Sequence, residues 1–112
     1  MEILYKNRKL AKCAEDEVFS RRNLGTKRSE LYILRIGDMM ASETMEDLRY
    51  LPGHYHELTG NRKGQWACDL DQPYRLIFEP QEKPIPEDEY GSYLWIKIKA
   101  VEILDINNYH GK

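Results

Sequence analysis

The spacing of apolar residues changes near residue 60, and this change constrains the fold more than any other feature of the sequence. Before it, apolar side chains recur at helical spacing, as in residues 31–40, and after it they alternate, as in residues 66–70 and 74–78. Helices followed by strands, with one short strand at residues 2–6 in front, predict an α+β domain whose helices cover one face of a mostly antiparallel sheet. The length suits one core, so we expect a single domain over residues 1–112.

Turn-forming and capping residues set the expected boundaries of the elements. A short helix is predicted over residues 7–17, then a break at Gly25 and a longer helix over residues 31–40. Thr44 followed by Asp47 predicts the start of a further helix, which ends at Pro52-Gly53. The remaining elements are a turn at residues 71–73, an exposed loop at 80–91 without core burial, and a strand at 93–106 with a bulge near Leu104.

A glycine-bracketed turn displays two cations just before the alternating region. Gly60 and Gly64 adopt positive φ at no steric cost, so we expect Arg62 and Lys63 at the tip of a tight turn. Basic side chains at such a tip can position the phosphate backbone of a nucleic acid, although simple solvation explains them equally well. The candidate positioning charges are Arg62, Lys63, Lys27 and Arg28.

The charge balance and the cysteine content exclude several classes of protein. The formal net charge is -2 and the sequence pI is about 5.9, unlike the basic body of a free-standing nucleic-acid-binding protein. Only Cys13 and Cys68 occur, without metal-ligand spacing, so we expect a reducing compartment and no disulfide framework, metal or cofactor. No apolar run suits a signal peptide or a membrane span, which predicts a cytoplasmic protein.

Two histidines could transfer protons near neutral pH. His56 precedes the glycine turn, and His110 follows the last predicted strand. Metal-independent cleavage of RNA through the 2′-OH needs a base, a cation at the crowded phosphate and an acid for the 5′-oxygen. The chain holds candidates for each of these three roles, but ordinary surface histidines would give the same pattern.

Arg75 and Tyr109 are the candidates for further contacts to an RNA. Arg75 falls on the strand face opposite Leu76, so we expect it to point across the exposed concave face of the sheet, where a guanidinium can grip phosphate with two hydrogen bonds. A structural arginine paired with Glu79 or Asp69 is the alternative. Tyr109 could stack on a base, or it could pack its ring against the protein and leave its hydroxyl in water.

Three segments together resemble one toxin family. They are His56-Glu-Leu-Thr-Gly-Asn-Arg-Lys-Gly-Gln-Trp66, then Tyr74-Arg-Leu-Ile-Phe78, and then residues 101–111 with their terminal Asn-Tyr-His-Gly. The combination resembles the HigB-like killer proteins, a branch of the RelE/ParE toxins, and the order of helices and strands matches over nearly the whole chain. The resemblance implies the small RelE-like α+β fold, with the antiparallel sheet cradling RNA.

The resemblance also implies a function, partners and residue roles. Members of this branch are toxins of type II toxin–antitoxin modules that cut mRNA in the ribosomal decoding site and are silenced by a helix-turn-helix antitoxin of the HigA type. The implied roles are acid and base for His110 and His56, a phosphate contact for Arg75, and substrate positioning for Tyr109. We expect the free toxin to be a monomer.

Two positions depart from the family pattern and leave other functions open. Thr59 stands where several relatives have lysine, which removes a cation that Arg62 or Lys63 could replace. Asn108 stands where they have aspartate, so it can hydrogen-bond to RNA but cannot act as a base. The alternative is a relative without nuclease activity, either a ParE-like gyrase poison or a degenerate antitoxin-binding repressor component.

Overall fold

Helices on one face of a five-stranded sheet make up the fold, as the change in spacing predicts. The computed structural model describes residues 1–108. Its sheet has the strand order β1-β5-β4-β3-β2, in which β1 runs parallel to β5 and every other pair is antiparallel. The α-helices are α1 (Arg8–Glu15), α2 (Glu17–Leu24) and α3 (Thr26–Ala41); the strands are β1 (Glu2–Tyr5), β2 (His56–Glu57), β3 (Trp66–Asp69), β4 (Tyr74–Pro80) and β5 (Ala100–Asn108).

Capping side chains and one glycine divide the N-terminal region into three helices. Asn7 accepts a hydrogen bond from the Leu10 backbone N–H and begins α1. Asp16 accepts one from the Phe19 backbone N–H, so it ends α1 and begins α2. Gly25, at φ 87°, separates α2 from α3. The single helix expected over residues 7–17 is therefore wrong in its C-terminal bound, because Asp16 caps a new helix there, and the break at Gly25 is confirmed.

The segment that follows α3 is helical but tighter than an α-helix. Met45–Tyr50 forms a 3₁₀ helix, and the Asp47 carboxylate accepts a hydrogen bond from the Thr44 backbone N–H at 3.1 Å. The predicted start at Thr44 is confirmed. Met45 and Leu48 are fully buried, so this short helix closes one end of the core.

The core lies between the helices and one face of the sheet. Its largest fully buried side chains include Trp66 and Phe78 from the sheet and Tyr32 and Met39 from α3. Burial raises the pKa of the Tyr32 hydroxyl, which donates a hydrogen bond to the Leu10 carbonyl at 2.7 Å. This contact ties α3 to α1 inside the core.

The C-terminal half departs from prediction at two places. Pro80 belongs to β4 and Ile85 is buried, so the predicted exposed loop over residues 80–91 does contribute to the core. Trp95–Lys97 forms a 3₁₀ helix, and β5 begins only at Ala100, so a strand starting at residue 93 is wrong. Trp95 is buried against Trp66, with ring centroids 5.4 Å apart. A buried residue in this 3₁₀ helix gives the same alternation of apolar and polar residues as a strand.

The predicted bulge in β5 is confirmed at Leu104. Phe78 pairs with Ile103, and Ile77 pairs with Asp105, so Leu104 is the extra residue between them. Beyond the bulge the odd-numbered residues of β5 lie on the face that points away from the helices. In the part of the chain that the structure describes, no helix is long and apolar enough to cross a membrane.

Candidate functional site

The sheet face that points away from the helices carries a set of polar side chains in neighbouring register positions. Asp69 of β3 pairs with Arg75 of β4, and Arg75 pairs with Asn107 of β5. His56 of β2 pairs with Ala67, which lies on the same face two residues from Asp69. Ideal sheet spacing puts the Cα atoms of His56 and Arg75 about 12 Å apart, within reach of one bound nucleotide.

A tight turn before β2 brings a second histidine beside the first. The rings of His54 and His56 are stacked, with centroids 4.1 Å apart and planes inclined by 19°. His54 adopts φ 55°, a left-handed conformation that is unusual for a residue other than glycine. Gly53, at φ 117°, precedes it, and the Arg35 guanidinium of α3 lies directly against Gly53.

The Asp69 backbone and side chain join this turn to the sheet. Its backbone N–H donates to the Gly53 carbonyl at 2.8 Å, and its carbonyl accepts from the buried Arg35 Nε at 2.8 Å. Its carboxylate Oδ2 lies 3.5 Å from His54 Nδ1. Asp69 therefore fixes the backbone of the turn, and its carboxylate lies beside the exposed His54 ring.

Arg75 is held at the centre of the array. Its Nε donates a hydrogen bond to Asn107 Oδ1 at 3.0 Å, and its register partner on the other side is Asp69. The expected position on the face opposite Leu76 is confirmed by the register of β4 with β3 and β5. His54, Asp69, Arg75 and Asn107 thus form a continuous row across the sheet, and His56 stacks on one end of it.

The hydrogen bond made by His56 determines which of its nitrogens is available for chemistry. Its Nδ1 lies 2.8 Å from the His54 carbonyl oxygen, and a carbonyl can only accept. Nδ1 must therefore carry the hydrogen, which leaves the lone pair of a neutral ring on Nε2. The site offers a proton acceptor at His56, a guanidinium at Arg75 and a second imidazole between them.

The basic turn lies as predicted, but its side chains contact the protein. Gly60 and Gly64 have φ 65° and 94°. Arg62 donates to Gln65 Oε1 at 3.0 Å, and the Lys63 ammonium lies over the Tyr93 ring, 5.5 Å from its centroid. Neither contact is with the row that contains Arg75.

Lys27 and Arg28 belong to α3, on the side of the helices, and Arg28 lies near the turn between β3 and β4. Arg28 makes two hydrogen bonds to the Asp71 carboxylate, at 2.9 and 3.0 Å, and lies 3.6 Å above the Tyr74 ring. Lys27 is exposed in the first turn of α3. Arg28 therefore anchors α3 to the turn between β3 and β4, and Lys27 is the more accessible of the two.

The C-terminal candidates divide between the described chain and the residues beyond it. Asn108 pairs with Tyr74, so its register position belongs to the helical face, whereas Asn107 lies on the Arg75 face. Tyr109 and His110 lie outside the described residues.

Sequence reasoning missed His54 and Asn107 and named Asp69 only as a possible partner of Arg75. His54 precedes a two-residue strand that is too short to show alternation, and the bulge at Leu104 changes which asparagine faces Arg75. The one available signal was the alternation of β3. It places Asp69 on the same face as Ala67, which is also the face of Arg75.

The charges around the row limit what can bind there. Glu79 and Glu102 pair with each other on the same face, and Asp105 lies opposite Ile77. Glu79 is paired with Lys83 at 3.1 Å, but Glu102 and Asp105 repel a phosphate backbone. An anionic ligand would therefore approach from the end of the sheet that carries Arg75 and the histidines. A separate depression of 690 Å³, lined by residues that include Arg8, Lys12 and Phe19, lies on α1 and α2 away from the row.

Comparisons with known proteins identify the fold. No protein-family model matches the chain, and no curated protein matches it in sequence. Among solved structures it is similar to a YoeB/ParE toxin from Agrobacterium tumefaciens, with a TM-score of 0.50 and 10% identity over 97% of this chain and 99% of that one. The chain therefore has the fold of a YoeB/ParE toxin, which agrees with the expected RelE-like architecture; the HigB-like branch stays a prediction.

Proposed function

We propose that the protein is the toxin of a type II toxin–antitoxin module and that it cleaves mRNA on the ribosome. The observation that carries this proposal is the arrangement of His56 and Arg75 on the sheet face that points away from the helices, in a fold shared with a YoeB/ParE toxin. A base with an available nitrogen and a guanidinium within reach of one nucleotide are two of the three groups that 2′-OH cleavage of RNA requires.

The chemistry divides between these groups as follows. Nε2 of His56 takes the proton of the 2′-OH, the 2′-oxygen attacks phosphorus, and the bond from phosphorus to the 5′-oxygen breaks. Arg75 binds the non-bridging oxygens and stabilises the added negative charge. His110 protonates the departing 5′-oxygen and Tyr109 positions the substrate, roles that rest on the family resemblance. The products are a 2′,3′-cyclic phosphate and a 5′-hydroxyl.

The charge of the protein favours cleavage on the ribosome over cleavage of free RNA. With a net charge of -2 and carboxylates beside the row, the protein holds naked RNA weakly at physiological salt. The ribosome supplies the missing binding energy by presenting the message in the decoding site. Lys27 and the cations of the basic turn add positioning contacts. A helix-turn-helix antitoxin of the HigA type covers the toxin and silences it.

The test compares ribosome-bound and free message. Purified toxin is added to ribosomes programmed with a defined mRNA and to the same mRNA alone, and 5′ ends are mapped. We expect efficient cleavage only on the ribosome, with a loss of about 100-fold or more in His56→Gln and none in the exposed control Lys99→Gln. Efficient cutting of naked RNA, or equal cleavage by His56→Gln, would contradict the proposal.

Induced expression in a bacterium tests the same proposal in cells. Wild type should slow growth and produce new transcript ends, and His110→Ala should do neither. Equal growth and identical transcript ends in both strains would overturn the nuclease. Toxicity that survives both His56→Gln and His110→Ala would instead favour the gyrase-poison alternative, which needs neither histidine.

A further inference from the structure

We propose that His54, which lies next to Asp69 and is stacked on His56, is a further catalytic residue that binds the scissile phosphate as a second cation opposite Arg75. The inference rests on the proposed nuclease function and assigns a role to a residue outside the family motif. Four observations carry it: the backbone conformation of His54, the direction of its ring, the charge balance of the row, and the occupation of the other candidate cations.

The backbone at His54 is held in a conformation that costs free energy. A non-glycine residue at positive φ typically loses about 1–3 kcal/mol, and such residues persist where the surroundings fix them. Here the Asp69 N–H holds the Gly53 carbonyl, and the buried Arg35 holds the Asp69 carbonyl.

The ring of His54 presents one nitrogen to the protein and the other to solvent. Nδ1 faces Asp69 Oδ2 at 3.5 Å, and the side chain is 64% exposed. Nε2, on the far side of the ring, is directed away from that carboxylate. A protonated His54 therefore offers an N–H donor at Nε2 to a ligand on the sheet face.

The charges of the row require a cation at His54 before the row can attract phosphate. Asp69 and Arg75 cancel each other, so a neutral His54 leaves a formal charge of zero and a protonated His54 leaves one positive charge. Two imidazolium rings stacked 4.1 Å apart would repel, whereas one beside Asp69 gains an ion pair. Because Asp69 lies beside His54, and Nδ1 of His56 is bound to a carbonyl, the proposal assigns the cationic role to His54 and the role of base to His56. The Arg35 guanidinium of α3 also lies beside this turn, against Gly53.

Three of the remaining candidate cations contact other groups, and the fourth, Lys27, lies in the first turn of α3. Arg62 donates to Gln65, and Lys63 lies over the Tyr93 ring. Arg28 is bonded to Asp71. His54 is the cationic side chain that shares a carboxylate partner with the Arg75 position, so it can meet one non-bridging oxygen while Arg75 meets the other.

The experiment uses single-turnover cleavage of ribosome-bound message by His54→Asn, with Asp69→Asn as the second variant. Asparagine tolerates positive φ, so His54→Asn removes the imidazole and keeps the turn. The substrate carries sulfur in place of one or the other non-bridging oxygen at the cleaved phosphate, because sulfur accepts hydrogen bonds poorly. Thermal unfolding confirms that both variants are folded.

Loss of one oxyanion contact predicts a rate reduction of about 100-fold in His54→Asn and a smaller one in Asp69→Asn. Wild type should discriminate between the two sulfur isomers, and His54→Asn should lose that discrimination. Wild-type rates in His54→Asn, or unchanged discrimination at a reduced rate, would overturn the inference and leave the nuclease proposal standing. Failure of the wild type to cleave would overturn both.

Discussion

Replacing Gly53 with alanine should destabilise the protein severely, because this glycine lies against a buried guanidinium. A Cβ at Gly53 would lie 2.8 Å from Arg35 Cζ and Nε, a distance that real Cβ atoms essentially never show. Arg35 is only 9% exposed and its Nε donates to the Asp69 carbonyl, so moving it breaks a charge-assisted hydrogen bond and disturbs a buried charge. That loss costs about 1.5–3 kcal/mol.

Backbone strain adds to the cost of the clash. Gly53 has φ 117°, which an alanine rarely adopts, and such strain adds about 1–3 kcal/mol. Together the two effects predict a loss of about 2.5–6 kcal/mol in the free energy of unfolding. For a domain of this size that is a fall in Tm of at least about 10 °C.

Two other glycines provide matched controls for Gly53→Ala. Gly60 also has positive φ, at 65°, but a methyl group there would have nothing within 4 Å, so Gly60→Ala should cost only the strain of about 1–2 kcal/mol. Gly37 lies inside α3 with no neighbour within 4 Å and ordinary φ, so Gly37→Ala should stabilise by about 0.5–1 kcal/mol. Urea unfolding of the three variants measures their free energies of unfolding and so tests this order of stability. A loss in Gly53→Ala no larger than in Gly60→Ala would refute the role given to Arg35.

Two further outcomes concern the contacts of the helices. Arg28→Ala should lower the free energy of unfolding by about 2 kcal/mol, because the part-buried Asp71 loses two charge-assisted hydrogen bonds, whereas the exposed Lys27→Ala should change it by less than about 0.5 kcal/mol in the same urea titration. Burial raises the pKa of Tyr32 and Tyr55 above the ordinary value near 10. As the pH rises, both hydroxyls ionise first in the unfolded chain, so the free energy of unfolding is unchanged below pH 10 and falls above it. The fall is up to about 1.4 kcal/mol per pH unit for each group. Tyr55→Phe should reduce this slope, and an unchanged slope would exclude Tyr55 as a contributor.

The sequence predicts the fold well because the fold depends on periodicity. The change from helical spacing to alternation is a property of whole segments, so it survives errors at single residues. It fails where one residue decides the outcome. Asp16 ends one helix and begins another. Trp95 lies in a 3₁₀ helix whose apolar and polar residues alternate as they would in a strand.

The site is predicted less completely because its members meet through tertiary contacts. The face of Arg75 follows from alternation alone. The approach of His54 to Asp69 depends on a positive-φ turn and on Arg35, which comes from a helix far away in sequence. Asn107 could not be chosen over Asn108 without knowing where the bulge interrupts β5. Such information lies in pairing and packing, which one sequence does not reveal.

The bulge at Leu104 has a consequence for comparing this chain with its relatives. Ile103 faces the core, Asp105 and Asn107 face the other side, and Leu104 is the residue without a pairing partner between them. Removing Leu104 would leave every other residue of β5 on its present face, whereas a deletion elsewhere in the strand would invert all that follows. Relatives that differ in length here should therefore differ at this position, and an alignment that opens its gap anywhere else in β5 would match core residues with site residues.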